Sequence, residues 1–409
     1  MRVLFCVSAA PLPPTDGFRL VVEALVRELR QRHEVRVLAL HASCQEHDEG
    51  PEHLRLVPRP RRTTIGLAGL LLSATVRGRP LRADADAAAM RPALREELER
   101  FRPDVVHVSS GRLAALGPDL EGHPCVLAAL DAHHVNVEAK ARIAEGLRRL
   151  LLFNEARNAR RFEATAYRPF DHVITVSAQD RDALSALDPH LRITVIPNGV
   201  DSERFVPVPR GEAVPSQLVF TGIMRYAPNV AAAEFLARRI LPRVRARRPD
   251  ARLALVGRDP SGLVRALGEL DGVTVTGEVA EPAAWITASR VFVCPMRDGT
   301  GIKNKLLEAM ACGVACVATP LAVQGLGCVA GRDLLLADGE EEIADAVVAV
   351  LDDDGLARRL GEAARAYAVS SHSWSAVAQA YEEVYRSVLA TPKRSRQRTR
   401  RGRVPGGSW

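Results

Sequence analysis

The sequence contains no long hydrophobic run. Its longest apolar stretch, IGLAGLLLSATV at residues 65–76, has 12 of the 409 residues, whereas a helix that crosses a bilayer needs about 20. Arg59, Arg61 and Arg62 precede it. Two interpretations of residues 59–76 therefore stay open: a core or surface helix, or a helix that lies on an anionic membrane surface. The N-terminal run MRVLFCV is also short, so we expect a strand and a turn there and not a signal peptide.

A regular cysteine pattern is lacking as well. The seven cysteines are odd in number and scattered, so their spacing indicates no disulfide framework. Cys312 and Cys316 are separated by three residues, but no second pair of Cys or His follows at ligand spacing, and we therefore expect no metal site. These features predict a reduced, cytoplasmic location. Peripheral contact with the inner face of the membrane stays open.

The body of the chain carries little net charge. The formal net charge is +7, and seven basic residues lie in KRSRQRTRRGR at residues 393–403. We expect residues 391–409 to form a solvated, disordered tail. Binding of this tail to anionic lipid or nucleic acid is the alternative, whereas the body shows no sign of nucleic-acid binding. The sequence leaves the oligomeric state open.

Apolar β-type runs alternate with helical patterns in both halves of the chain. Examples are RVLFCVS, EVRVLAL, PDVVHVS and FDHVITVS in the first half, and QLVFTGIM, ARLALVG, SRVFVCP and VACVATP in the second. Strands without polar alternation are buried on both faces, which is typical of a parallel sheet covered by helices. The sequence therefore predicts an α/β protein with two Rossmann-like, doubly wound domains that face each other across a cleft.

A proline cluster separates the two series, at positions 197, 207, 209 and 215. Because this is a linker composition, we predict an N-terminal domain at residues 1–198, a linker at 199–216 and a C-terminal domain at 217–370. The run WSAVAQAYEEVYRSVL has apolar positions at helical spacing. Residues 371–390 are therefore predicted to form a final helix that must bury its apolar stripe.

A candidate anion site lies in DGTGIKNKLLEAMA, residues 298–311, which follows a buried strand and opens an apolar helix. Gly299 and Gly301 allow backbone amides to approach a ligand closely. The helix N-terminus supplies unpaired N–H groups and a partial positive charge. Lys303 and Lys305 add full charges there, and because they are only two residues apart, we expect at least one of them to face solvent.

Glu308 lies in the same predicted helix, which we expect to start at Ile302 or Lys303. Two interpretations of this carboxylate stay open. It caps a neighbouring loop or pairs with a lysine, or it accepts hydrogen bonds from ligand hydroxyls such as a ribose diol. A phosphate held by amides together with a diol held by a carboxylate describes a nucleotide.

Longer stretches carry a resemblance to a known family. GIMRYAPNVAAAEFLARRILPRVRARRPDARLALVG, VTVTGEV and GTGIKNKLLEAMACGVACVATP resemble the retaining GT-B glycosyltransferases of family GT4, within a bacterial subgroup that has a Gly-x-Met-x-x-x-Pro-Asn strand and turn. VIPNGVDSERF and SWSAVAQAYEEVY resemble its linker and its closing helix, which returns to the N-terminal domain. The likeness covers nearly all of residues 1–390. It implies an enzyme that moves a sugar from a nucleotide-sugar donor held chiefly by the second domain.

The resemblance also implies which residues bind the donor. Glu308 matches the carboxylate that binds the ribose hydroxyls, and the backbone of residues 301–303 matches the loop that holds the diphosphate. The backbone of residues 277–279 matches the stretch that pairs with the base. The remaining donor-side positions of the pattern are Gly17, Gly222, Arg225, Gly277, Val279, Asp298, Gly299 and Lys305.

Two positions depart from the family pattern. Many members have a glutamate that contacts the donor sugar where this chain has Thr300. Many also have an arginine and a lysine after the strand that ends at Gly222, whereas here Arg225 is the only candidate and Pro228 stands near the usual lysine position. Arg225 together with Lys303 or Lys305 would supply the missing charge, since a leaving diphosphate must be neutralised.

One candidate loop of the first domain follows the first strand. Asp16 and Gly17 resemble the family's loop beside the donor phosphate and the acceptor. Asp16 and Phe18 are candidates on the acceptor side. The other interpretation is a turn packed by Phe18. Arg19 is a candidate for contact with either the diphosphate or the acceptor.

A second candidate loop is LDAHHVNVEAK, which ends a buried strand. Two adjacent histidines cannot both face one point, and His133 matches the family's histidine near the donor sugar better than His134 does; a surface histidine is the alternative. Asp131, His134 and Glu138 are candidates on the acceptor side. Farther along, Ser177 is expected to cap the helix AQDRDAL.

The resemblance implies retention of configuration at the anomeric carbon, with His133, Lys303 and Arg225 as catalytic candidates. Loop amides and lysines would stabilise the charge that grows on the leaving phosphate, and that phosphate would accept the proton of the acceptor. No cofactor is expected to be essential, and assistance by Mg²⁺ stays open. A UDP-sugar is the favoured donor, and the acceptor is a glycan, a lipid-linked molecule or a small natural product. An epimerase on a similar scaffold and a nucleotide-sugar-binding subunit without activity are the competing functions.

Overall fold

The computed structural model describes residues 1–12, 17–41, 51–59, 80, 83–207, 214–298 and 302–391. Within these ranges the chain forms two parallel β-sheets, of seven and six strands. The prediction of two doubly wound, Rossmann-like halves is therefore confirmed. Most of the Arg-flanked apolar segment, residues 60–76, lies outside the described residues, as do the basic tail at 392–409 and part of the predicted linker at 208–213.

The first sheet has the strand order β3-β2-β1-β4-β5-β6-β7. The strand order reverses between β1 and β4, and open sheets of this kind bind ligands at such a point, beyond the carboxyl ends of the strands. Its strands are β1 (Arg2–Val7), β2 (Glu34–His41), β3 (Leu54–Pro58), β4 (Val105–Ser109), β5 (Cys125–Leu130), β6 (His172–Thr175) and β7 (Ile193–Val195).

Both faces of this sheet are buried. Successive side chains of a strand point to opposite faces, so Leu4 and Cys6 of β1 belong to one core, while Val3, Phe5 and Val7 belong to the other. The covering helices are α1 (Gly17–Arg30), α2 (Ala83–Arg100), a 3₁₀ helix (Gly111–Leu120), α3 (His133–Ile143), α4 (Gly146–Ala166) and α5 (Ala178–Ser185).

The predicted cap of α5 is confirmed. The hydroxyl oxygen of Ser177 accepts a hydrogen bond from the backbone N–H of Asp180 at 3.1 Å. The cap residue satisfies one of the donors that the first turn of a helix leaves unpaired.

The second sheet has the order β10-β9-β8-β11-β12-β13. Its strands are β8 (Val214–Thr221), β9 (Arg252–Val256), β10 (Val273–Gly277), β11 (Ser289–Cys294), β12 (Ala315–Ala318) and β13 (Leu335–Leu336). Thus β8 begins inside the segment that the sequence predicts as a linker. The helices around this sheet are α6 (Ala227–Phe235), a π-helical segment (Leu236–Ile240), α7 (Leu241–Arg245), α8 (Gly262–Leu267), α9 (Pro282–Thr287) and α10 (Asn304–Ala311).

The chain ends in three helices, α11 (Glu340–Asp352), α12 (Asp354–His372) and α13 (Trp374–Ala390). The last of them, α13, buries its apolar stripe on the first sheet, in the core that contains Phe5. A buried hydrogen bond of 2.7 Å joins the hydroxyl of Tyr385 in α13 to Nδ1 of His107 in β4. Arg32 donates to the buried carboxylate of Glu382 at 2.8 Å.

The chain passes between its two halves twice, and the two crossings are bonded to each other. The N–H of Val200 donates to the carbonyl of His372 at 2.6 Å, and Nδ1 of His372 donates to the carbonyl of Asn198 at 2.9 Å. The ring of Trp374 lies where a side chain on Gly199 would be, because a Cβ there would come within 2.5 Å of it.

Across the described ranges, no helix combines the length and the apolar composition needed to cross a membrane.

Candidate functional site

A cavity of about 700 Å³ lies at the carboxyl ends of the first sheet. Residues after β1, β3, β4, β5 and β6 line it, and Ile302 and Asn304 of the second half close one side. The two halves touch here, since Nδ2 of Asn198 donates to Oδ1 of Asn304 at 3.2 Å. The lining residues include Gly17, Phe18, Arg59, Ser110, Gly111, Arg112, Leu130, Asp131 and His133.

The backbone at the ends of β4 and β5 adopts an uncommon conformation. Ser110 has a φ of 99° and Leu130 a φ of 67°, in the region that residues other than glycine rarely adopt. Gly111 follows Ser110, and a Cβ on Gly111 would lie 2.1 Å from the hydroxyl oxygen of Tyr167. Because non-glycine residues at positive φ concentrate at functional sites, these two strand ends support the cavity as the site.

Helix α3 begins at the cavity wall, and two carboxylates accept hydrogen bonds from the backbone N–H groups at its start. The carboxylate of Glu163, from α4, accepts the N–H of His133 at 2.8 Å and the N–H of His134 at 3.4 Å. The carboxylate of Asp180 accepts the N–H of Ala132 at 2.9 Å. This helix start is therefore already occupied by negative charge and does not offer an open anion site.

The two adjacent histidines have different surroundings. Nδ1 of His134 bonds to Glu163 in the interior, where His134 is buried, whereas His133 lines the cavity. Burial lowers the pKa of His133, against the opposing effect of Glu163. The structure thus places His133, and not His134, where a ligand in the cavity would meet it.

Asp131 is a second titratable group at the cavity wall. Burial raises the pKa of Asp131 to about 6, and the carboxylates of Asp180 and Glu163 add to the rise. Nδ2 of Asn136 donates to it at 2.6 Å. This carboxyl group can therefore change its protonation state near neutral pH.

Two arginines line the cavity in different ways. The guanidinium of Arg59 lies 3.1 Å from the buried carboxylate of Asp86, so its charge is compensated within the protein. Arg112 is half-buried and forms no ion pair with a described residue. Its charge lies close enough to Asp131 and His133 to affect the pKa values of both.

In the second half, α10 starts at Asn304 and Lys303 is its N-cap residue, one to two residues later than the sequence predicts. The expectation that Lys303 or Lys305 faces solvent is wrong. Lys303 is 7% exposed and Lys305 is half-buried. Burial lowers the pKa of Lys303 and lowers the pKa of Lys305 to about 8.

The groups that contact the ammonium of Lys305 directly are neutral, and the charge of Glu308 acts on it without an ion pair. The ammonium donates to Oδ1 of Asn229 in α6 and lies 4.4 Å above the ring centre of Phe220 in β8. A Cβ on Gly222 would lie 2.9 Å from Nζ of Lys305, so the absence of a side chain there makes room for the lysine. A cation–π contact and an amide oxygen stabilise the charge but do not neutralise it.

Glu308 lies just over one turn into α10 and is half-buried. Burial raises the pKa of Glu308, against the opposing charges of Lys305 and Arg204. Within the described residues, its carboxylate accepts no hydrogen bond. A partly buried carboxylate without donors is costly, so the site favours a ligand that brings hydroxyl groups.

Three of the predicted site residues have partners within the protein. The side chain of Arg225 is 71% exposed and lies 3.5 Å from Asp259. Glu138 is half-buried and pairs with Arg142 at 2.9 Å. Nε of Arg19 donates to the carbonyl of Ala10 at 3.0 Å.

Three further predicted positions belong to the second half. At Gly277 a Cβ would meet nothing within 4 Å, so the backbone there is open to a ligand. Val279 packs on the hydrophobic core of the second half, and Asp298 is exposed. Four other predicted site residues lie outside the described ranges, namely Asp16, Gly299, Thr300 and Gly301.

Sequence reasoning did not assign Glu163, Asp180, Arg112 or Asn229. The sequence does contain a pattern that could have pointed to Asn229, because this residue is the last one of the Gly-x-Met-x-x-x-Pro-Asn stretch. No sequence pattern points to Glu163, since it lies 30 residues after His133 in an Arg-rich helix. Among the described residues, no group of three or more His, Cys, Asp or Glu side chains is placed to hold a metal ion.

Family models match both halves of the chain. The model described as Glycosyltransferase Family 4 matches residues 15–204, and the one described as Glycosyl transferases group 1 matches residues 215–353. A phosphatidyl-myo-inositol mannosyltransferase of Mycolicibacterium smegmatis is 34% identical over 47% of this chain and 51% of the relative. The chain thus spans about half the length of that relative.

Two other comparisons extend over most of the chain. The GDP-mannose-dependent alpha-(1-6)-phosphatidylinositol monomannoside mannosyltransferase of the same organism is 28% identical over 88% of this chain and 92% of the relative. Sucrose-phosphate synthase from Thermosynechococcus elongatus has a TM-score of 0.71 at 20% identity, over 95% of this chain and 100% of that one. The structural likeness shows a shared fold.

Proposed function

Because this chain belongs to the GT-B glycosyltransferases of family GT4, we propose that it transfers a sugar, with retention of configuration, from a nucleotide-sugar donor to an acceptor bound in the cavity. The observation that carries the proposal is the buried ammonium of Lys305 near the N-terminus of α10, which contacts an amide oxygen and an aromatic ring. A buried charge whose direct contacts are neutral favours a strongly anionic ligand, and the charge of Glu308 acts on this ammonium without forming an ion pair with it. Lys303 adds a second buried lysine at the same helix start, and Asn304, between them, lines the cavity.

The donor's diphosphate would lie against this helix start. The unpaired amides and the positive end of α10 attract phosphate, and the ammonium groups add full charges. As the bond to the sugar breaks, negative charge grows on the leaving phosphate, and groups already in place stabilise that charge more than the ground state.

The ribose would lie at Glu308, whose carboxylate accepts hydrogen bonds from the two hydroxyls. The base would lie against the open backbone at Gly277. For the nucleotide, the family resemblance favours a UDP-sugar, whereas the relative that matches over 88% of this chain is named for GDP-mannose. Both nucleotides therefore enter the test below.

The acceptor would enter from the side of the first sheet. His133 lies on the cavity wall to contact the donor sugar, and Asp131 lies beside it to bind an acceptor hydroxyl. The leaving phosphate would take the acceptor's proton, so the reaction requires no separate protein base. Two relatives are named for phosphatidylinositol acceptors, which supports a lipid-linked acceptor for this chain.

A donor panel tests the proposal. The protein is incubated with UDP-, GDP- and dTDP-sugars, with and without lipid-linked acceptors and with and without Mg²⁺, and the released nucleotide is measured. We expect one donor to raise the unfolding temperature, since a ligand at 100 times its Kd adds about 2.7 kcal/mol, and to release nucleotide faster when an acceptor is present.

Each competing function gives a different result in the same panel. A donor that is epimerised without transfer would indicate an epimerase. A donor that binds without turnover under any acceptor would indicate a binding subunit. A product of inverted anomeric configuration, measured by NMR, would contradict the retaining mechanism alone.

A further inference from the structure

The first two turns of α4 expose a cluster of large apolar side chains. Leu147 is 71% exposed, Leu150 67% and Leu151 55%, and Phe153 is 37% exposed beside them. The spacing of the three leucines, at i, i+3 and i+4, places them on one side of the helix. Exposed apolar groups that are contiguous mark an interaction surface. We call residues 146–153 the leucine tip.

Arginines surround the leucine tip. Arg148 and Arg149 lie within it, and Arg157, Arg160 and Arg161 follow on the next turns, all of them exposed. Arg157 and Arg161 lie on the leucine side, since they are seven and eleven residues beyond Leu150. Within this fully described helix and its first flanking residue, Glu145 is the one exposed carboxylate.

Described residues do not neutralise most of these positive charges through ion pairs. In the described part of the chain, Arg148, Arg157, Arg160 and Arg161 form no ion pair, and Arg149 lies 5.6 Å from the ring centre of Phe153. A helix end that exposes leucines, followed by exposed arginines on the same side, matches an anionic lipid surface, with its leucines at the acyl boundary and its guanidinium groups among the phosphates.

The position of the leucine tip in the fold fits this partner. Helices α3 and α4 form a hairpin, and its inner end is fixed at the cavity by the bond between Glu163 and His133. The 11 residues of α3 span about 16 Å, so the leucine tip lies roughly that far from the cavity wall. A membrane bound at the tip would therefore lie near the cavity.

We propose that the leucine tip of α4 binds the protein to the surface of an anionic membrane. This inference goes beyond the proposed transfer reaction and does not depend on it. A second copy of this chain is a poorer occupant, because a symmetric contact through the same patch would bring the arginine clusters of both copies together. An acidic bilayer meets both the apolar and the charged part of the surface.

Co-sedimentation of the full chain with vesicles tests the proposal. One set of vesicles contains phosphatidylcholine alone, and the other contains phosphatidylcholine with phosphatidylglycerol. We expect strong binding to the second set only, and at least a tenfold loss of that binding in the triple variant Leu147→Ser, Leu150→Ser, Leu151→Ser. Arg157→Gln with Arg161→Gln should also lose binding, and the loss should shrink as salt rises.

Matched controls isolate the leucine tip. Leu263→Ser removes an equally exposed leucine from α8 in the other half, and Arg95→Gln with Arg100→Gln removes two exposed arginines from α2. Both controls should bind vesicles as the unchanged protein does. The basic tail is present in every variant, so unchanged binding of the leucine variant would assign the membrane contact to another segment and overturn the proposal.

Two further measurements cover the remaining outcomes. The melting temperature of the leucine variant should equal that of the unchanged protein, since the substituted residues are exposed. The tryptophan fluorescence of the single variant Leu150→Trp should shift to shorter wavelength with anionic vesicles only. If size-exclusion chromatography shows a dimer that the leucine substitutions dissociate, and no variant or parent binds vesicles, the surface is a contact between copies and the proposal is wrong.

Discussion

The carboxylate of Glu163 accepts the backbone N–H of His133 at 2.8 Å, and this bond joins the interior of α4 to the residue of α3 that lines the cavity. The same carboxylate also accepts the hydroxyl of Tyr167 at 3.3 Å, and that hydroxyl occupies the space beside Gly111. One buried side chain therefore fixes the ends of two strands at the cavity, although it does not line the cavity itself.

Glu163→Gln should weaken both the fold and the site. The amide keeps one acceptor oxygen but loses the charge, so the bonds from the α3 amides and from His134 weaken. Charge-assisted bonds of this kind contribute about 1.5–3 kcal/mol each, and we expect a loss of about 2 kcal/mol in the free energy of unfolding, measured in urea. The exposed Glu234→Gln, which pairs with Arg238 at 3.5 Å, should change stability by less than about 0.5 kcal/mol. Equal effects of the two variants would contradict the role of Glu163.

Gly199→Ala should destabilise the connection between the two halves. A Cβ at this position would lie 2.5 Å from the ring of Trp374, so the ring or the crossing strand must move. Overpacking of this kind costs about 1–3 kcal/mol. Gly262→Ala is the matched control, because a Cβ there would meet nothing within 4 Å, and it should be neutral in thermal unfolding. A Gly199→Ala protein as stable as the control would show that the crossing is not tightly packed.

The fold was largely predictable because its signals are local. Unbroken apolar runs such as those of β1 and β11 indicate strands buried on both faces, and the helical stretches between them indicate parallel order. The helix start at Asn304 was placed one to two residues too early. Its N-cap residue, Lys303, carries no capping hydroxyl or carboxylate, so the sequence does not mark the boundary.

The burial of both lysines could not be predicted, because the groups that cover Lys305 come from distant parts of the chain. Asn229 and Phe220 lie 76 and 85 residues before Lys305, and helical spacing says only that neighbouring lysines diverge. The role of Glu163 was hidden for the same reason. A carboxylate in an Arg-rich helix is typical of a solvated surface, and only the packing of α4 on α3 turns it inward.

The depressed pKa of Lys305 predicts an alkaline limit to donor use. Burial lowers this pKa to about 8, so the ammonium is charged below that pH and neutral above it. If the charge binds the diphosphate, kcat/KM for the donor should fall about tenfold per pH unit above pH 8, since this ratio reports groups of the free enzyme.

Two substitutions test whether Lys305 causes that limit. Lys305→Arg keeps a charge that does not titrate in this range, so the alkaline fall should move to higher pH. Lys305→Met should lower kcat/KM by about 100-fold and remove the fall. An unchanged pH profile in the arginine variant would assign the fall to another group.

Glu308→Gln should weaken nucleotide binding through the ribose. The carboxylate accepts no hydrogen bond from described residues, so donor hydroxyls would supply its partners; a bond to a charged group is worth about 1.5–3 kcal/mol, which corresponds to about 10- to 100-fold in Kd. Calorimetry with the preferred nucleotide and with its 2′,3′-dideoxy form gives a double-mutant cycle. Removing the hydroxyls should weaken binding to the unchanged protein and to Glu383→Gln, an exposed glutamate of α13, but not to Glu308→Gln. Additive losses in that cycle would mean that the ribose lies elsewhere, because a carboxylate cannot lose a contact that it never made.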